Sequence, residues 1–260
     1  MIYSLMFLIE TFFINWQLIL VFYCIAILYS SVGFGGGSSY LAVLALTGIA
    51  YSQIRATSLL CNIVVVFSNI LFFQKEKLID WKKITPLVLS SVPLAFFGGF
   101  LKINQVFFFI ILGITLLIAA ITMWFSEKSI ISKKQHNKVN IYKNASYGGG
   151  IGFISGIVGI GGGIFLAPLL HLSNWDSSKK IAATASVFIL VNSIAGLFGQ
   201  YFNTNFIIDW KLTSTLLITV AIGGQIGRRM SNKLLTRIQL KKATAILIAF
   251  VAIKILWNYI

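Results

Sequence analysis

Charge is scarce in this chain. Only 10% of its 260 residues are Asp, Glu, Lys or Arg, where a soluble domain carries about a quarter. Acid is scarcer still. Apart from Glu10, all of the six carboxylates (Glu10, Glu76, Asp80, Glu127, Asp176 and Asp209) fall at the ends of apolar segments or in loops between them. An intramembrane carboxylate is the usual proton or sodium relay of a coupled transporter, and no apolar segment places one. Two cysteines, Cys24 and Cys61, make neither a disulfide framework nor a zinc site. No paired carboxylates, Ser/His/Asp set or His/Cys cluster is visible. No catalytic residue, cofactor or metal is therefore expected, and the chain does not read as an enzyme. The opening MIYSLMFLIE has neither the basic region nor the small-residue cleavage site of a signal peptide, so it is expected to stay as part of the first membrane element.

Apolar residues fill the space left by charge. They make up 58% of the chain, with a mean hydropathy of +0.90. Runs such as 106–125, 181–202 and 243–260 approach the ~20 residues that a helix needs to cross a bilayer. The fold class is all-α, a polytopic membrane protein. A net charge of +15 raises nucleic acid as a partner, but the cations sit in short loops and form no basic face interleaved with aromatics. The lipid bilayer is the expected partner, with no nucleic acid, and a homodimer is one assembly the chain allows.

The chain repeats itself, and repeats bear on fold before anything else. Gly33-Phe-Gly-Gly-Gly37 matches Gly159-Ile-Gly-Gly-Gly163. Ala56-Thr57 then matches Ala183-Thr184, and Asp80-Trp81-Lys82 matches Asp209-Trp210-Lys211. The organisation is a first transmembrane repeat over 1–125, a basic linker over 126–143 and a second repeat over 144–260. Each repeat holds a glycine-broken segment followed by three apolar segments, near 56–74, 84–101 and 105–125, then 181–202, 210–228 and 243–259.

The cations give the orientation. If each broken segment crosses the membrane once, lysine and arginine divide almost evenly between the faces, against the positive-inside rule. If each broken segment leaves by the side it entered, all of the 21 except Arg55, Lys102, Lys211 and Lys254 share one face. The second arrangement puts the N-terminus outside and the linker 126–143 in the cytoplasm of a multi-pass inner-membrane protein. It also makes the repeats inverted, a common transporter plan. Residues 164–172 then form an arm of half-membrane length. The first half is open at this point, because 16–50 fits either a re-entrant hairpin or two full spans.

Backbone that leaves the helix at membrane depth must be buried in protein or line a cavity. Two such breaks meeting near the midplane would present unpaired N–H groups at helix N-termini, which carry partial positive charge and bind anions. The candidate substrate-binding residues are Gly33, Gly35, Gly36, Gly37 and Ser38, then Gly159, Gly161, Gly162 and Gly163. Thr57, Ser58 and Asn62 accompany the first break, at the expected start of the next helix. Thr184, Ser186 and Asn192 accompany the second. Asn69 is a further costly polar group in lipid, Gln200 and Gln225 are weaker candidates, and His171 reads as an interfacial cap. Arg55 is either an outer-face anchor or an attractor of anions. Gly148, Gly152 and Gly156, at helical spacing, fit close helix packing instead.

Together these residues resemble a known signature. Gly33–Gly37 and Gly159–Gly163 with Ile-Phe-Leu-Ala-Pro168, each followed by an Ala-Thr helix segment, are similar to the duplicated motif of the sulfite exporter TauE/SafE family. The first copy departs in carrying Ala42 where the second has Pro168. The resemblance spans both repeats. It implies a membrane transporter of small sulfur-containing anions such as sulfite or organosulfonates, acting by alternating access around a midplane site. A small-anion channel and a structural membrane subunit are the alternatives.

Overall fold

The computed structural model describes residues 15–125, 141–173, 175–203, 206–230 and 237–260. Among them the chain forms ten α-helices and no strand. In the first repeat these are α1 (Trp16–Ser31), α2 (Gly37–Ala45), α3 (Tyr51–Lys75), α4 (Trp81–Phe100) and α5 (Gln105–Phe125). In the second they are α6 (Ile141–Val158), α7 (Gly163–Leu172), α8 (Ser178–Tyr201), α9 (Trp210–Arg229) and α10 (Arg237–Tyr259). The linker residues 126–140, Glu10 and the lysines at 128, 133, 134 and 138 lie outside the described residues. The helix α6 begins at Ile141, inside the expected linker.

Glycine sets both breaks. Gly36 and Gly162 occupy the N-cap positions of α2 and α7 with φ of +89° and +82°, a left-handed conformation that costs other residues about 1–2 kcal/mol. The arms beyond them are short, with 9 residues in α2 and 10 in α7. At 1.5 Å per residue each reaches roughly 15 Å, half of a ~30 Å hydrocarbon core. The first half thus has a half-length arm like the second. The duplicated Asp-Trp-Lys has a local cause as well. Asp80 and Asp209 are the N-caps of α4 and α9, accepting from the backbone N–H of Lys83 at 3.4 Å and Lys211 at 2.8 Å.

Among the described residues five helical stretches are long and apolar enough to cross a membrane: α3, α4, α5, α8 and residues 242–259 of α10. The α9 helix has the length but, with Lys211, Gln225, Arg228 and Arg229 among its threonines and glycines, not the hydropathy. Those small residues let it lie on α1. A Cβ on Gly223 would reach the Tyr23 carbonyl at 2.9 Å, and one on Gly227 would strike that of Ile27. The glycine stripe of α6 works the same way. Side chains at Gly148, Gly152 or Gly156 would collide with the backbone of α4 at Leu87, Ser91 and Ala95, so these glycines pack helices, as their spacing implies.

The inner pair is α3 and α8, the most buried of the spans. They run antiparallel: Leu59 approaches Gly196, Ile70 packs with Val187, and Phe73 packs with Ala182 and Ala183. The outer pair α5 and α10 is antiparallel too, with Phe109 stacked on Tyr259 at 4.5 Å and Lys242 over Trp124 at 5.9 Å. In both pairs the partners are equivalent helices of the two repeats. The remaining packing recurs with the repeats exchanged: α4 on α6 and α9 on α1, α4 on α8 and α9 on α3.

Candidate functional site

The helix α3 starts at Tyr51 rather than near residue 56, because hydropathy marks only its apolar centre and misses the polar first turns. Thr57, Ser58 and Asn62 therefore lie inside the helix rather than at its start. The same holds for Thr184, Ser186 and Asn192 in α8, which starts at Ser178. Asn62 is 1% exposed and stands between the two glycine breaks. Its Oδ1 accepts from the Gly37 N–H at 2.8 Å, and its Nδ2 donates to the Ile160 carbonyl at 2.7 Å. One side-chain amide thus spans from the N-terminus of α2 to the backbone of the second break.

Three further side chains tie the first break. The Ser58 hydroxyl donates to the Gly37 carbonyl at 2.8 Å and the Asn69 amide donates to the Phe34 carbonyl at 3.3 Å. Ser186, from the other repeat, donates to the Gly33 carbonyl. The bonds to Phe34 and Gly33 satisfy carbonyls that lie outside any helix, which is what irregular backbone needs inside an apolar bundle.

Between the breaks lies a cavity of about 60 Å³, several times the ~10–15 Å³ that admits one water. Gly35, Gly36, Gly37, Ser38 and Asn62 line it from the first half, and Ile160, Gly163 and Ile164 from the second. It continues along α7 past Ala167 and Pro168 to His171. None of its lining residues is Lys, Arg, Asp or Glu. Besides polar residues such as Tyr29, Asn62 and Thr244, backbone contributes to its polarity: among the described residues the N–H groups of Ser38, Gly163 and Ile164 have no hydrogen-bond partner. Each half-helix N-terminus contributes roughly half a positive charge, so the cavity is electropositive without a charged side chain.

The two N-termini are not equivalent. Carrying the Ala56–Ala183 register forward puts Ile189 opposite Asn62. A Cβ on Gly37 would meet the Asn62 amide, and one on Gly163 would meet the Ile189 side chain. Polar groups gather near the uncapped end. The hydroxyls of Ser155 and Ser193 are buried without a partner; Ser193 Oγ lies 2.7 Å, and Ser155 Cβ 3.3 Å, from the Cβ positions of Gly161 and Gly162.

Other candidates sit outside the cavity lining. Gly33 borders a separate pocket. Gly159, Gly161 and Gly162 shape the second break, all with positive φ. Thr57 pairs with Thr213 at 3.0 Å, Thr184 is buried in α8, and Asn192 donates to Ser91 Oγ and the Phe188 carbonyl. Gln200 is buried, and Gln225 accepts from Arg228 at 2.9 Å. Arg55 is 2% exposed, and its Nη2 donates to the carbonyls of Gly156 at 3.0 Å, Gly99 at 3.4 Å and Gly98 at 3.5 Å. It thereby closes the C-terminal ends of α4 and α6, where cations are favoured. Ile189, Ile160 and Ser193 escaped the sequence reading. Ile189 was within reach, since laying one repeat on the other exposes the Asn62–Ile189 mismatch.

The sequence profile of the sulfite exporter TauE/SafE family matches residues 18–255. A probable membrane transporter protein of Sinorhizobium fredii is 32% identical over 92% of this chain and 97% of its own length. One from Methanocaldococcus jannaschii is 27% identical over 84% of this chain and 86% of its own. A third, from Haemophilus influenzae, is 29% identical over 74% of each. No solved structure matches the chain.

Proposed function

Because the chain belongs to the sulfite exporter TauE/SafE family, a family of membrane transporters rather than enzymes, we propose that it exports small sulfur-containing anions such as sulfite or organosulfonates. The observation that carries this reading is the cavity between the breaks, lined by unpartnered N–H groups at two half-helix N-termini. A small oxyanion fits that environment: fixed dipoles replace its water without introducing a cation that would hold it too long. The antiparallel pairing of α3 with α8 and of α5 with α10 supports inverted repeats. Paired with the loop cations, it favours a cytoplasmic linker and an N-terminus outside, in a bacterial inner membrane. Alternating access then amounts to one repeat rocking on the other about the cavity.

The test is uptake into proteoliposomes with a panel of sulfite, thiosulfate, methanesulfonate and sulfate. Gly163→Val drives a side chain into Ile189 at the N-terminus of α7 and is expected to lower anion affinity by about 100-fold, roughly 2.7 kcal/mol. Gly150→Val is the control. Gly150, like Gly163, is a helical glycine without a positive φ, but nothing lies within 4 Å of its Cβ position, so it adds the same side chain away from the site. Wild-type affinity in a folded Gly163→Val protein would overturn the site. Saturable flux with counterflow marks a carrier, and unsaturated voltage-driven current marks a channel.

A further inference from the structure

Below the first break lies a second cavity of about 80 Å³, enclosed by α1, α3, α9 and the start of α8. Its inner end is formed by Ser31, Val32, Gly33 and Asn69, and its walls carry three charged residues, Glu76, Lys179 and Arg228. The contrast with the central cavity is chemical. There no Lys, Arg, Asp or Glu lines the wall, and here two cations and one carboxylate do.

The two cavities share one residue. Val32 lines both, so the first break is the partition between them. That partition is held by Asn69, which accepts from Ser30 at 2.9 Å and donates to the Phe34 carbonyl at 3.3 Å. Arg228 is itself fixed in place: Nη1 donates to the Ser68 carbonyl at 3.2 Å and Nη2 to Gln225 at 2.9 Å. A guanidinium has five N–H donors, which leaves further donors for a ligand.

The geometry points to this pocket as a recruiting site for small oxyanions, placed before the partition that leads to the central cavity. It rests on the reading that the central cavity seats an anion. Lys179 and Arg228 concentrate anions electrostatically and offer charge-assisted hydrogen bonds to a sulfonate or sulfite oxygen. Glu76 reduces the local balance to a single positive charge, so an anion is drawn in and released onward rather than trapped. The site lies at the end of the bundle with Lys75, Lys77 and Lys179, which makes it the entry side for export.

The experiment reads the pocket without relying on transport. Cys24 and Cys61 are replaced by serine, and Ser31→Cys places one thiol in the pocket. The purified full-length protein is then treated with an anionic and a cationic methanethiosulfonate reagent of similar size. The anionic reagent is expected to react several-fold faster, relative to the pair's rates on a free thiol. Arg228→Gln and Lys179→Gln should each bring that ratio down, Glu76→Gln should raise it, and millimolar methanesulfonate should protect the thiol. Phe72→Cys, on the exposed rim, repeats the measurement should Ser31→Cys fail to fold. A ratio indifferent to all three charge changes, or no protection by methanesulfonate, would overturn the recruiting site. Running the series in the Gly163→Val background separates the two ideas. A preference that persists there establishes the pocket even if uptake shows the central seat to be wrong.

Discussion

The glycine breaks at Gly33–Gly37 and Gly159–Gly163 share a motif, a left-handed N-cap and a short arm, yet their surroundings differ in kind. Around the first, Asn62, Ser58, Asn69 and Ser186 each bond its backbone. Around the second, Asn62 reaches the Ile160 carbonyl, while Ile189 covers Gly163 and leaves its N–H and that of Ile164 unpaired. Duplication supplied two half-helix N-termini, and the side chains of α3 and α8 capped the Gly37 N–H of one and left the Gly163 N–H of the other unpaired. An unpaired donor in an apolar interior costs about 1–3 kcal/mol, which an anion seated as proposed would recover.

The sharpest way to break this contrast is to exchange the residues that create it. Asn62→Leu keeps a side chain of similar size but strands the Gly37 N–H and the Ile160 carbonyl. It should lower stability by about 2–4 kcal/mol, whereas Ile189→Leu in the other repeat should cost under ~1.5 kcal/mol. Thermal unfolding in detergent compares them, and equal losses would mean that the first break does not depend on its amide.

Ile189→Asn is the mirror experiment. It offers the Gly163 N–H the cap that Gly37 already has, so anion affinity should fall about tenfold, or ~1.4 kcal/mol, in a protein that still folds. Unchanged or tighter binding would place the seat elsewhere than the second N-terminus.

The smallest effect concerns the far end of the second arm, where Asp176 pairs with Lys83 at 2.6 Å and stands 3.8 Å from Lys180. Partial burial pushes the Asp176 carboxyl up. The hydrogen bonds from Lys83 and the Ser177 N–H, with the charges of Lys83 and Lys180, outweigh that and leave it below the ordinary carboxylate value. A depressed folded pKa means stabilisation that is present above about pH 4, the unfolded value, and is lost as pH falls through the folded one. Asp176→Asn should therefore lower stability at neutral pH by under ~1 kcal/mol, with little change at low pH, so that the acid limb of the stability–pH profile flattens.

Arg55 shows why part of the site was beyond the sequence. In a linear reading a lone arginine before a polar helix start is equally an anchor or an anion attractor. Its partners are the carbonyls of Gly98 and Gly99 in α4 and of Gly156 in α6, brought to it by a helix crossing that chain order does not reveal. By contrast, the packing role of Gly148, Gly152 and Gly156 was legible, since their spacing alone puts them on one helix face. The helix starts at Tyr51 and Ser178 were not, because polar turns at the ends of a span resemble loops in hydropathy.

By itself the sequence determined the membrane class, the duplication and the two glycine breaks. Those depend on composition and local backbone freedom, which a residue carries wherever it folds. Only the tertiary structure decided which N-terminus is capped. That turns on Asn62 and Ile189 facing the same gap from antiparallel helices, and a hydrogen bond formed across such a gap leaves no trace in the spacing of either motif.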